Sequence, residues 1–195
     1  MALHTELWFP SVVWSGILPG PDNARLKEYA YQRQKQDIGV EIHNYGGYQS
    51  TSIEQGESST IDLLMAEISK EANSCAQQVG LGELELNDVW LNINGKGAYN
   101  HLHNQPTAVL TGVYYVDATD QQGNLQIERS DNAEYCLPEF PDKNTYFTST
   151  RATYKAHTGA VYIFPAWTKH SVQGNKINKD RISISFNYGV KNNAD

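Results

Sequence analysis

At 195 residues the chain can bury one sizeable core, and a single domain over residues 1–195 is expected. With 39% hydrophobic and 19% charged residues it has a globular rather than a disordered balance. A formal net charge of −7, with no long lysine or arginine run, leaves no footprint for a nucleic-acid backbone.

Two cysteines, Cys75 and Cys136, stand apart and outside any CxxC pair. That excludes thiolate zinc sites and fits free thiols in a reducing compartment. The segment from Met1 to Pro10 has no basic stretch and no long apolar run. No stretch approaches the ~20 apolar residues of a membrane span, so no membrane partner and a cytoplasmic location are expected.

Leu7 to Leu18 is apolar, β-branched and aromatic, which predicts a strand with Pro10 at an edge or bulge. Pro19-Gly20-Pro21 stops it. Asp22 or Asn23 caps a predicted helix from Ala24 to about Lys35. Val40 to Thr51 reads as a loop with a short strand. Ser58-Ser59-Thr60 caps a second helix from Ile61 to about Val79, with Ile61, Leu64, Met65, Ile68 and Ala72 on one stripe. That stripe needs a sheet to cover. Gly80 and Gly82 end it.

Past residue 85 the pattern turns to strands: Leu86 to Ile93, Thr107 to Val116, Leu125 to Arg129, Thr145 to Thr150, Ala152 to Ala156, Ala160 to Pro165 and Arg181 to Val190. Ser130 to Asp142 is loop, broken by Pro138 and Pro141. Many short strands at even spacing predict a sandwich or jelly roll, with both helices on one outer face.

Residues two apart share a face of a strand, so His101, His103 and Gln105 can all point inward. Non-haem iron sites use two histidines and a carboxylate on one face, with positions left open. His170, after the apolar Ile163-Phe164-Pro165, is the distant histidine such a site needs. On the final strand Arg181, Ser183, Ser185 and Asn187 share a face, opposite Ile182, Ile184 and Phe186. An inward arginine is costly unless paired, and a dicarboxylate ligand would pair it bidentately. His4, His43 and His157 receive no role, since an isolated histidine is more often structural.

The chain resembles the 2-oxoglutarate and Fe(II)-dependent oxygenases of the double-stranded β-helix fold, in particular a group common in marine bacteria and phages. The matching stretches are LWFPSVV, NYGGYQS, VWLNINGKGAYN, LTGVYYV, and GAVYIFPAWTKHSV followed by RISISFN. The resemblance implies a mainly β fold with N-terminal helices, a jelly roll carrying helices on one outer face. Its core would span about 86–190, with the N-terminal strand and helices in about 1–85. Asn100 and Pro106 set the family's register and place the first metal ligand at His103 and the second at Gln105, where the common motif has an acid. The set it implies is His103, Gln105 and His170 for Fe(II). Arg181 and Ser183 would take the distal carboxylate of the cosubstrate 2-oxoglutarate. Asn92, Tyr115 and Asn187 would be polar neighbours.

Glutamine at 105 leaves three arrangements open: an amide-oxygen ligand, a two-histidine site, or substitution by His101. The implied reaction consumes molecular oxygen and hydroxylates an unknown small-molecule or protein substrate. The alternative is a weak or inactive relative that binds a metal or small acid. A structural or carbohydrate-related jelly roll would leave Arg181 unexplained. Segments 46–56 and 130–144, polar and loop-like, are expected to shape specificity.

Overall fold

The computed structural model describes residues 3–137, 139 and 141–191. Two helices precede most of the sheet, as the sequence pattern predicts. Helix α1 runs Asn23–Gln36, and the Asp22 side chain accepts from Arg25 N at 3.1 Å to satisfy one free N–H of its first turn. Helix α2 runs Ser59–Gln78 behind the Ser58 cap, with Asp62 in the first turn where the helix dipole favours an anion. Leu26 and Ala30 of α1 are buried, as are Ile61, Leu64, Met65, Ile68 and Ala72 of α2.

Among the described residues there are eleven strands, in chain order β1 Trp14–Ile17, β2 Asn44–Tyr45, β3 Tyr48–Gln49, β4 Leu84–Asn94, β5 Tyr99–His103, β6 Leu110–Asp117, β7 Leu125–Glu128, β8 Arg151–Tyr154, β9 Ala160–Pro165, β10 His170–Val172 and β11 Arg181–Val190. They form a six-stranded sheet, β1-β9-β6-β11-β4-β3, and a five-stranded sheet, β2-β5-β10-β7-β8. Every pairing is antiparallel. Two sheets face each other and the helices cover the outside of the larger one, a jelly-roll sandwich.

Strand alternation divides the core. Tyr114, Val116, Ile182, Ile184 and Phe186 join the helices in one apolar cluster. Val113, Tyr115, Leu125, Ile127, Tyr162 and Phe164 form a second cluster with the opposite sheet. The larger sheet is thus buried on both faces, and β6 is buried at every position from Leu110 to Val116.

Some expectations fail. Of the strand predicted over Leu7 to Leu18 only β1 forms; Trp8 and Phe9 are exposed, and Phe9 has φ of 58°, incompatible with a strand. Thr145 to Thr150 is not a strand, because Thr145 Oγ1 accepts from Phe147 N and Thr148 N and closes a turn. Pro138, expected to break a loop, lies outside the described residues, as do residues 1–2, 140 and 192–195. Strand β10, which carries His170, has no counterpart in the predicted set.

The connection from α1 to α2 is latched. Arg33 donates to Thr51 Oγ1 at 2.9 Å and pairs with Glu57, while Asp37 accepts from Gly39 N at 2.9 Å and Thr51 N at 2.8 Å. Burial opposes charge on Asp37, but these donors prevail and hold its carboxyl at about 2. Within this connection β2 pairs with β5 of the smaller sheet and β3 with β4 of the larger one, so the segment crosses between the sheets. Among the described residues no helix is long and apolar enough to cross a membrane. Cys75 is buried and Cys136 exposed, both free.

Candidate functional site

A cavity of about 300 Å³ opens between the sheets. The inner face of β11 supplies Arg181, Ser183 and Ser185, and the facing residues of β4 supply Asn92, Trp90 and Asp88. Sequence alternation alone predicts this β11 face, and the fold places it inward.

Arg181 is 1% exposed. Its Nη1 donates to the carbonyls of Gln122 and of Gln173 (3.2 Å), and Nη2 reaches Asn100 Oδ1 at 3.5 Å. No acidic side chain among the described residues pairs with it. Burial pulls its pKa below the usual guanidinium value, though a guanidinium stays charged. Beside it Tyr115 is 1% exposed and its hydroxyl has no hydrogen-bond partner among the described residues. Burial pushes that phenol up to about 12, with the Arg181 charge pulling the other way. A buried cation and an unmet hydroxyl donor together form a receptor for an anion.

His170 of β10 pairs directly with His103 of β5, and their rings lie 4.2 Å apart between centroids. Each Nδ1–H donates to a backbone carbonyl two residues back, His103 to His101 O (2.6 Å) and His170 to Thr168 O (2.9 Å). A carbonyl only accepts, so the proton sits on Nδ1 and the Nε2 lone pair is free. Burial, then the neighbouring His170, lowers the His103 pKa to about 3; burial lowers that of His170 to about 4. Two neutral imidazoles, oriented through Nδ1, are in the state that metal coordination requires.

His101 does not share their face. The β5–β10 register steps from His170↔His103 to Val172↔Asn100, three residues on β5 against two on β10. This bulge breaks alternation, so Asn100 and His103 line the cavity together. His101 turns outward, edge-on to Tyr99 with centroids 4.9 Å apart. The expectation of His101, His103 and Gln105 on one face is therefore overturned. The expectation of no role for His43 also needs correction. Its ring stacks on His103 at 4.2 Å and 21°, and it lines the cavity. Only long-range pairing finds it: β2 pairs with β5, and His43 O accepts from His101 N at 2.9 Å.

Gln105 lines the cavity, and its Oε1 accepts from Asn187 Nδ2 at 3.5 Å; Asn187 Oδ1 has no partner among the described residues. Among the described residues no three histidine, cysteine, aspartate or glutamate side chains are grouped to hold a metal. His103, His170 and Gln105 line the same cavity, and imidazole nitrogens and an amide oxygen are donors of a kind that suits a first-row divalent ion. Ser183 lines the cavity, and Asn92 donates to Ser185 Oγ at 3.3 Å. Residues 49–52 line the cavity, and none of the described residues of 130–144 does.

Residues 88–187 match a sequence family described as "Putative 2OG-Fe(II) oxygenase". No curated protein matches the chain. Among solved structures, a prolyl-4-hydroxylase from Pseudomonas putida is similar at TM-score 0.69 and 14% identity, covering 92% of this chain and 93% of its own. The epimerase SnoN of nogalamycin biosynthesis, solved with Fe3+, alpha ketoglutarate and nogalamycin RO, is similar at TM-score 0.65 and 17% identity, covering 92% and 78%. A viral collagen prolyl hydroxylase from Paramecium Bursaria Chlorella virus-1, solved with 2OG, is similar at TM-score 0.62 and 14% identity, covering 91% and 96%. At these identities the likeness establishes the fold.

Proposed function

The chain belongs to the 2OG-Fe(II) oxygenase family, and from that premise we propose that it couples oxidative decarboxylation of 2-oxoglutarate to hydroxylation of a second substrate. One observation carries this reading: a buried arginine with no acidic partner among the described residues shares a cavity with two neutral, cross-strand histidines. In the balanced reaction, 2-oxoglutarate, molecular oxygen and a C–H bond become succinate, carbon dioxide and an alcohol.

His103 and His170 would hold Fe(II) through Nε2, with the Gln105 amide oxygen as a neutral third donor. Bound Fe(II) supplies the redox chemistry that activates molecular oxygen. Arg181 would take the distal carboxylate of 2-oxoglutarate, with Tyr115 Oη and Ser183 Oγ as further donors. Asn100, which Arg181 touches, and the Gln122 and Gln173 carbonyls hold the guanidinium in place before ligand arrives. The site lies in the cavity between the two sheets, which would admit the second substrate.

Gln105 supports a second reading, a binding module without turnover, because a neutral amide stands where the common motif has an acid. Anaerobic titration of the Fe(II)-loaded protein with 2-oxoglutarate, followed by visible charge-transfer absorption, and then succinate formation in air, test both. Binding with succinate formation supports the oxygenase. Binding without succinate, across a broad substrate panel, supports the module. Failure to bind either Fe(II) or 2-oxoglutarate overturns both.

A further inference from the structure

Among the described residues two formal charges other than histidine line the cavity, Arg181 and Asp88, and they lie far apart. Arg181 pairs with Asn94 at one end of the β4–β11 ladder, and Asp88 pairs with Asn187 six residues along. At ~3.3 Å per residue the two backbone positions are about 20 Å apart. The β5 segment runs the same way: Asn100 touches Arg181 and Gln105 touches Asn187. His103 lies between, so Asp88 marks the side of the histidine pair away from Arg181.

Asp88 accepts from Ser52 Oγ at 2.6 Å and has no ion-pair partner among the described residues. Trp90, two residues along the same strand face, lines the cavity beside it and makes no ring contact among the described residues. Its indole N–H is likewise unpartnered among them. Past Asp88 a second cleft continues with Glu54 and Asp62, and no lysine or arginine among the described residues lines it. Asp88 borders both clefts. Val40 and Ile42 give the mouth an apolar wall.

A carboxylate with no ion-pair partner among the described residues, an indole lining the cavity beside it and an adjoining cleft with acidic but no basic lining residues among them form a receptor for a positively charged nitrogen on an aliphatic stem. The carboxylate supplies charge, the indole a cation–π surface, and the apolar wall covers methylenes. We propose that Asp88 and Trp90 select a cationic substrate, an amine or guanidinium of lysine or arginine type, and that the cosubstrate and substrate subsites are thereby separated by charge. This rests on the oxygenase reading above.

The test uses Fe(II)-loaded protein, anaerobic and saturated with 2-oxoglutarate. Probes are n-butylammonium, free L-lysine, Nα-acetyl-L-lysine amide and Nα-acetyl-L-arginine amide. The uncharged controls are 1-butanol and Nα-acetyl-L-norleucine amide. Binding is read from the Trp90 indole N–H resonance, assigned with Trp90→Phe. The cations are expected to shift that resonance and the controls to leave it unmoved. Asp88→Asn, which keeps the shape and the Ser52 contact, is expected to weaken the cations about tenfold or more, one ionic hydrogen bond's worth. Free lysine binding more tightly than the amide assigns a metabolite, and the reverse assigns a peptide side chain.

Equal binding of the controls, or no effect of Asp88→Asn, overturns the proposal. Normal Fe(II) and 2-oxoglutarate binding without any cation binding overturns this inference alone. Cation binding by a protein that takes neither Fe(II) nor 2-oxoglutarate overturns the oxygenase reading and leaves the cation subsite standing.

Discussion

Replacing Arg181 by methionine removes the guanidinium and keeps a long, flexible side chain. The wild-type side chain is 1% exposed, so a carboxylate meeting it is fully desolvated. Truncating one partner of such a pair costs about 2–5 kcal/mol, and a bidentate contact belongs in the upper part of that range. At about 3–4 kcal/mol, the Kd for 2-oxoglutarate rises roughly 10²–10³-fold. The free protein behaves differently. Methionine gives up the contacts to Gln122 O and Gln173 O, each worth about 1 kcal/mol, but also removes a buried charge that lacks a counterion. These effects oppose, and the ligand-free Tm should move by less than about 8 °C.

Thermal unfolding with and without 2-oxoglutarate reads both quantities. At 100 times the wild-type Kd the ligand adds about 2.7 kcal/mol, which raises Tm by about 5–11 °C for a chain of this size. The same concentration should shift Arg181→Met by under about 2 °C. A full ligand-induced shift in the variant would refute the assignment of Arg181 as the carboxylate receptor.

Gln105→Asp should raise Fe(II) affinity about tenfold or more by adding a charge-assisted donor, measured by calorimetry; unchanged affinity means this side chain never reaches the metal. Metal-free protein should lose stability in mild acid. His103 and His170 stay neutral in the fold down to about 3 and about 4, mainly through burial, while the unfolded chain protonates both below about 6.5. The unfolded state then binds more protons, so stability falls as pH drops from about 6.5 toward 4, by about 2–4 kcal/mol between pH 7 and 5. Urea titrations at those two pH values check this, and equal midpoints would contradict it. Gly123→Ala should disturb the arginine: Gly123 has φ of 91°, and a Cβ there would lie 1.9 Å from Gln173 O and 2.7 Å from Arg181 Nη1. The expected result is a lower Tm together with about tenfold or weaker 2-oxoglutarate binding; unchanged binding would show that the guanidinium is not held by that turn.

Much of the architecture was legible because it rests on local patterns. Cap residues Asp22 and Ser58 announce both helices, and the stripe from Ile61 to Ala72 announces a sheet beneath the second. Period-two alternation in β11 places Arg181, Ser183 and Ser185 on one face, and the fold turns that face inward. The false strand over Leu7 to Val13 shows the limit of the same signal. β-Branched and aromatic residues suit a pleated surface, but they form a strand only where a neighbouring edge is free to pair. Strand β9 offers its edge to Trp14–Ile17 alone.

The pair His101 and His103 separates the two kinds of information most clearly. Sequence by itself determined the types of donor present, their order along the chain, and the arginine that follows them. It also showed glutamine at position 105, a matter of identity that no fold can alter. Only the tertiary structure decided which donors meet. A bulge, set by where β10 pairs with β5, turns His101 outward and keeps His103 in. The pairing of β2 with β5 brings the sequence-distant His43 against His103. The charges that divide the cavity, Arg181 and Asp88, lie on two strands whose register joins them. Side-chain direction along one strand is a local property of the backbone, whereas register and bulges arise from packing between distant segments, which no local pattern encodes.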